Sequence, residues 1–220
     1  MFSVIYYLDL FGVAIFAITG ALVAEQQQLN ILGVLVSAIL TAVGGGTLRD
    51  MLLGETPVFW IQDPVYLMIA AIAGFSVYFV APYYRFRGRV FLLADAVGLA
   101  VFTIIGIQKA ISIDVSVVNA VLLGTLTGVG GGGIRDVLLG RRLPLLLQQE
   151  LYATAAFLGG WIYILLDLSA FPSLIAVLIS MLVVISIRLA AIHWGLRLPV
   201  FRIQETNRIL TQIRTKNAIE

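Results

Sequence analysis

Cysteine is absent from the 220 residues, which excludes a disulfide framework and any thiolate metal site. Histidine occurs once, as His193, beside Trp194 and near the end of an apolar stretch. That position suits an interfacial anchor better than a ligand or a catalytic base. No activated-serine pattern and no metal-ligand cluster are present, so the chain is expected to be no enzyme, with no catalytic residues, metal or cofactor. Charge is scarce as well. Asp, Glu, Lys and Arg make up 12% of the chain, against about a quarter in a soluble domain. A formal net charge of +2 says little as a total, and no nucleic-acid partner is expected. What is abundant is apolar surface: 60% of residues are hydrophobic and the mean hydropathy is +1.03. Most of this surface must face something other than water, so the chain is read as an integral membrane protein with membrane lipid as a partner.

Seven apolar segments stand near the ~20 residues that a helix needs to cross a bilayer. They run over Val4–Ala24, Ile31–Leu53, Val65–Ala81, Val90–Gln108, Val115–Leu139, Leu151–Leu166 and Ser173–Ile192. The first lacks the basic n-region of a signal peptide and its pattern returns internally, so it is expected to be a permanent helix.

One stretch organises the chain by occurring twice. Val43-Gly44-Gly45-Gly46-Thr47-Leu48-Arg49-Asp50 returns as Val129-Gly130-Gly131-Gly132-Gly133-Ile134-Arg135-Asp136, an offset of 135 − 49 = 86. Between Leu40–Gly54 and Leu126–Gly140, 11 of 15 positions are identical at that offset. Asp9–Gly20 and Asp95–Gly106 match at 6 of 12, including Asp9/Asp95, Phe16/Phe102 and Gly20/Gly106. Two separated blocks that share one offset make an internal duplication. Each copy holds three segments, an odd number, so the second copy enters the membrane from the opposite side. The expected fold is an all-α membrane protein of two inverted three-helix repeats, residues 1–89 and 90–167. A seventh transmembrane helix (168–194) and a basic tail (195–220) follow.

The basic residues test this topology independently. One side would carry Arg85, Arg87, Arg89, Arg141, Arg142, Arg197, Arg202, Arg208, Arg214 and Lys216, and the other Lys109 alone. Ten against one is a positive-inside signal that places the N-terminus outside and the C-terminus in the cytoplasm. The tail, with Ile203, Leu210 and Ile213 at helical spacing, reads as a solvated or lipid-surface helix.

Each glycine inside a helix costs ~1 kcal/mol relative to alanine. The runs Gly44–Gly46 and Gly130–Gly133 are therefore expected to kink or unwind the second and fifth segments. Freed backbone is tolerated in a bilayer only where protein covers it or a wet cavity receives it. Close helix packing is the alternative role for small residues. Intramembrane charges each cost ~2.5–3.5 kcal/mol and so pair internally. Matching depths predict Asp9 with Arg49 and Asp95 with Arg135. Asp50 and Asp136 are expected to cap the half-helices that begin after each break. Pro57–Trp60 reads as an external turn with an aromatic anchor, and Lys109 as a side chain snorkelling to the surface.

The doubled Gly-Gly-Gly-x-x-Arg-Asp unit resembles the bacterial membrane family with two glycine-rich domains, which is similar in fold to the trimeric intracellular cation (TRIC) channels. The resemblance covers everything but the tail. It implies a homotrimer in the cell's inner membrane, each protomer with its own pore lined by the two glycine-bearing helices, conducting potassium and, less selectively, sodium. The pathway would then hold Gly44, Gly45, Gly46, Arg49, Asp50, Gly130, Gly131, Gly132, Gly133, Arg135 and Asp136. Asp9 and Asp95 would serve as ion-pair partners. The basic lipid-binding motif of the animal channels has no match here. Some relatives of this fold are proposed to move glycine, and broken helices between inverted repeats also suit a secondary transporter of a small amino acid. The motif fits a channel and a carrier alike; the resemblance favours the channel.

Overall fold

The protein is described from a computed structural model over residues 2–81, 83, 88–140, 144–145, 151–169 and 171–197. Eight helices are present among them: α1 (Phe2–Gln26), α2 (Ile31–Leu53), α3 (Phe59–Gln62), α4 (Val65–Val80), α5 (Gly88–Ile111), α6 (Val117–Leu138), α7 (Ala153–Leu168) and α8 (Ser173–Trp194). Five of them, α1, α2, α5, α6 and α8, are long and apolar enough to cross a membrane. The helices α4 and α7 are apolar but only 16 residues each. The short α3 falls within a stretch the sequence reads as a turn. Local chemistry sets the ends. Asn30 caps α2 by accepting from Gly33 N at 2.8 Å, and Gly54 closes it in the left-handed region at φ 70°. Gly140, the counterpart of Gly54 at the same offset, follows α6 at φ 61°.

The repeats meet through reciprocal contacts. Phe16 of α1 and Phe102 of α5 stack with ring centroids 5.0 Å apart. A Cβ placed on Gly12 would meet Phe102, and one placed on Gly98 would meet Phe16. Likewise a Cβ on Gly45 would run into Thr127 O, and a Cβ on Gly131 into Thr41 O. When i touches j and j's equivalent touches i's equivalent, a two-fold axis passes between them. Here α1 lies against α5 and α2 against α6 across that axis.

The glycine runs do not unwind their helices. Helical hydrogen bonding is continuous through Gly44–Gly46 in α2 and through Gly130–Gly133 in α6. Helix propensities measured in water count the solvation that unwound backbone would gain, and an apolar surround offers none. The glycines instead let two helices approach to backbone contact: a Cβ on Gly130 would sit 3.1 Å from Gly45 Cα. Because α2 is unbroken, Asp50 does not start a half-helix, and neither does Asp136.

Of the ten basic residues assigned to one face, only Arg89 and Arg197 fall among the described residues. The tail positions Ile203, Leu210 and Ile213 lie outside them.

Candidate functional site

Two polar networks occupy equivalent places in the two repeats, one at each end of the α2–α6 pair. At the Arg49 end, Arg49 Nη2 and Nε lie 2.7 and 2.8 Å from Asp50 Oδ1. Asp50 Oδ2 accepts from Phe59 N at 3.0 Å, so the aspartate caps α3 rather than its own helix. Asp9 does not pair with Arg49. Its Oδ2 accepts from Tyr66 Oη at 2.9 Å. Three residues earlier in each stretch, Tyr6 Oη of α1 donates to Oδ2 of Asp63, just ahead of α4, at 2.7 Å. Two Tyr–Asp bonds thus tie α1 to α4 and the turn before it, and Asp9 has a neutral donor where the arginine was expected.

At the Arg135 end, Arg135 Nη1 lies 2.8 Å from Asp95 Oδ1 and 3.1 Å from Thr19 Oγ1. Arg135 Nε holds Asp136 Oδ1 at 2.9 Å, and Asp136 Oδ2 accepts from Leu145 N at 2.7 Å. The 86-residue offset holds for the second aspartate: Asp50/Phe59 and Asp136/Leu145 are the same contact in two copies. The guanidinium also lies 4.8 Å from the Phe91 ring centroid, as Arg49 lies 5.6 Å from that of Phe59. Arg135, Asp95 and Asp136 are all at 0% exposure. The positive charge faces two carboxylates in a medium that screens little, which is the condition under which buried ions persist.

The two ends differ in access. A cavity of about 490 Å³ opens at the Arg49 end, lined by Asp9, Arg49, Asp50, Glu55, Lys109 and Asp167 among others. Four carboxylates face two cations there, a formal balance of 2 − 4 = −2. Lys109, with its side chain 36% exposed, spans the mouth to Glu55 at 2.8 Å and joins the end of α5 to the end of α2. The Lys109 ammonium holds the Glu55 carboxyl below the usual carboxylate range. Trp60 folds back on α2, and its Nε1 donates to Thr47 Oγ1 at 2.9 Å.

Each glycine of the runs has its own neighbour. Gly44 abuts the Ile134 side chain, Gly46 the Phe59 ring and Gly132 the Tyr152 hydroxyl, while Gly133 has open space. Tyr66, Tyr152, Phe59, Glu55 and Arg188 join the networks without having been singled out as site residues from the sequence. A signal for the tyrosines existed: Tyr66/Tyr152, Ala70/Ala156 and Gly74/Gly160 continue the 86-residue offset into the third segments, at 3 of 10 positions from Val65–Gly74 to Leu151–Gly160.

A family model described as glycine transporter matches residues 6–82 and 92–167. The chain belongs to that family. The UPF0126 inner membrane protein YadS of Escherichia coli K12 is 43% identical over 206 residues, covering 93% of this chain and 99% of the relative. A UPF0126 membrane protein of Vibrio cholerae is 42% identical over 200 residues, covering 90% of this chain and 83% of the other. Among solved structures, the TRIC trimeric intracellular cation channel orthologue from Rhodobacter sphaeroides superposes with a TM-score of 0.84 at 38% identity, covering 88% of this chain and all of that one. A prokaryotic TRIC channel crystallised in 0.5 M KCl gives 0.83 at 28% identity, over 89% and 98% of the two chains. The glycine transporter family chain therefore has the TRIC-like fold with inverted repeats, and its relatives are membrane proteins and channels rather than enzymes.

Proposed function

We propose that the protein is a monovalent cation channel, passing potassium and less selectively sodium, with one pore per protomer of a homotrimer. The observation that carries this is the cavity at the Arg49 end, whose lining is net negative and whose deepest cation, Arg49, is neutralised by Asp50. Such a vestibule raises the local concentration of cations. An unpaired arginine in the same place would repel them. The TRIC channel structures of the same fold support the same reading.

In this reading the path runs between α2 and α6, past Gly44–Gly46, Arg49 and Asp50 and then Gly130–Gly133, Arg135 and Asp136. Backbone contact at Gly45 and Gly131 closes it, and conduction requires the two helices to part there. Repeats of residues 1–89 and 90–167, a seventh span at 168–194 and a cytoplasmic tail at 195–220 complete the protomer in the inner membrane. The vestibule faces outside, by the basic-residue count. In that layout α4 and α7 also span. Sixteen residues rise about 24 Å, and their flanks make up the rest of a ~30 Å core.

Purified protein in a planar bilayer under a potassium gradient tests this. Discrete openings that reverse near the potassium potential, and that Arg49→Ala or Arg135→Ala abolishes or alters, are the expected result. A second reading, a carrier for a small amino acid such as glycine, draws on the one-ended cavity and on the name of the family model. A silent bilayer with counterflow of labelled glycine in liposomes would select it.

A further inference from the structure

The two polar networks are built from equivalent residues yet hold different bonds. The four pairs are Asp9/Asp95, Arg49/Arg135, Asp50/Asp136 and Tyr66/Tyr152, each 86 apart. In both copies the arginine keeps the aspartate that follows it. The difference lies in the remaining carboxylate. At the end with the cavity, Asp9 is held by Tyr66 at 2.9 Å and makes no ion pair with Arg49. At the sealed end, Asp95 is held by Arg135 at 2.8 Å. There the Tyr152 hydroxyl approaches the Asp95 carboxylate but makes no hydrogen bond of normal geometry to it. The three groups converge on one point. A Cβ at Gly132 would lie 2.9 Å from Tyr152 Oη, 3.3 Å from Arg135 Nη2 and 3.5 Å from Asp95 Oδ1. Tyr152 Oη, Arg135 Nη2 and Asp95 Oδ2 are all buried without a hydrogen-bond partner.

We propose that Asp9 and Asp95 are partner-exchanging residues of two gates. Each carboxylate is bonded to its tyrosine when its end is open and to its arginine when its end is closed. Tyr66 and Tyr152 are then positioning residues that hold the open states. This rests on the reading of the cavity as part of a permeation path. In a dry, closed end a carboxylate needs the full counter-charge of arginine. Water entering an open end weakens that need, and a single neutral donor then suffices. Because the repeats are inverted copies, one structure displays both arrangements, and the opposite state of the protein exchanges them. The Asp9–Arg49 pair that the sequence predicts is then the closed form of the open end seen here.

The cysteine-free chain makes the test direct. Gln108→Cys places a thiol in the cavity lining, and Leu22→Cys places one at its equivalent, since 22 + 86 = 108, where the side chain is 1% exposed. Both are labelled in proteoliposomes with a membrane-impermeant maleimide applied from either side, with potassium flux recorded in the same vesicles. Tyr66→Phe keeps the ring against Tyr6 and Phe59 and removes only the hydroxyl. It is expected to slow labelling at Gln108→Cys about tenfold or more, the weight of one hydrogen bond to a charged group. Tyr152→Phe is expected to slow Leu22→Cys by a similar factor and to spare Gln108→Cys. Unchanged labelling in both variants, or loss at the same end in both, overturns the exchange. So does a Leu22→Cys thiol that is never labelled, because the Arg135 end then has no open state. End-specific slowing without potassium flux supports the gates and counts against the channel.

Discussion

Replacing Gly45 by alanine separates two roles for the glycine runs by the sign of the effect. If the run served only to weaken the helix, alanine would stabilise α2 by up to ~1 kcal/mol through propensity. The structure predicts the reverse. A Cβ at Gly45 runs into Thr127 O and lies 3.1 Å from Gly131 N, both backbone atoms of α6 that no rotamer change can move aside. The helices must shift apart, and overpacking of this kind costs about 1–3 kcal/mol, with a backbone obstacle at the upper end. Subtracting the propensity gain leaves a net loss of about 2 kcal/mol, or roughly 4–8 °C in melting temperature for a chain of this size. Gly133→Ala is the control. Nothing lies within 4 Å of its Cβ, so only the propensity gain remains. Tryptophan fluorescence during thermal unfolding in detergent, using the chain's three tryptophans, reads both variants. If Gly45→Ala raises the melting temperature as Gly133→Ala does, the close-packing account of the crossing is wrong. Gly131→Ala should repeat the Gly45→Ala loss, and the double variant should cost less than the sum because both act on one crossing.

Three further outcomes follow from the geometry. Asp136→Asn weakens the pair with Arg135 and is expected to cost about 3–5 kcal/mol, seen as a lower melting temperature or lost folded yield. Asp50→Asn should cost less, because Arg49 borders the cavity and water can reach the arginine. Thr47→Val removes the acceptor of the Trp60 indole and should lower stability by about 1 kcal/mol, with a change in tryptophan emission as the ring is released. For Glu55 the sign runs with pH: its acidity is increased by Lys109, so the contact is present above the ordinary carboxyl value of 4.5 and is lost as pH falls below it. Glu55→Gln should therefore lower the melting temperature slightly at neutral pH and make no difference well below pH 4.5.

Much of this was legible because the duplication repeats chemistry as well as letters. The offset of 86 gave inverted repeats, and matched depths placed Asp95 by Arg135, where the structure has them in contact. The same depth argument put Asp9 on Arg49 and failed, because depth ranks charges and ignores neutral competitors. A tyrosine arriving from α4 at the right height takes the carboxylate. The unwinding expected at the glycine runs is not seen, for a related reason. Residue counting weighs a helix alone in water, whereas α2 finds α6 at backbone distance and has no solvent to unwind into. Asp50 was assigned the right kind of bond and the wrong helix, and Asp136 likewise accepts from a backbone N–H outside its own helix. Their N–H partners come nine residues later, beyond the turn.

The Asp, Arg, Asp and Tyr of the networks are the same at both ends, so the inequality must come from what surrounds them: Thr19 and Phe91 at the Arg135 end are Ile105 and Ile5 at the other, and what packs on the two ends differs as well. The helix α8 is outside the duplication. It packs against α5 and α7, and it brings Arg188 to full burial, 4.8 Å from the Tyr152 ring centroid, with Nη1 donating to Leu151 O at 3.0 Å. Tyr66, the counterpart of Tyr152, has the rings of Phe59 and Tyr6 beside it instead. An aromatic edge leaves the Tyr66 hydroxyl able to turn to Asp9. A guanidinium against the Tyr152 ring holds that side chain in place, while Arg135 takes the carboxylate it would otherwise bond. On the proposed exchange, α8 then contributes to making the two ends unequal, by fixing Tyr152 where Tyr66 is left to reach its aspartate.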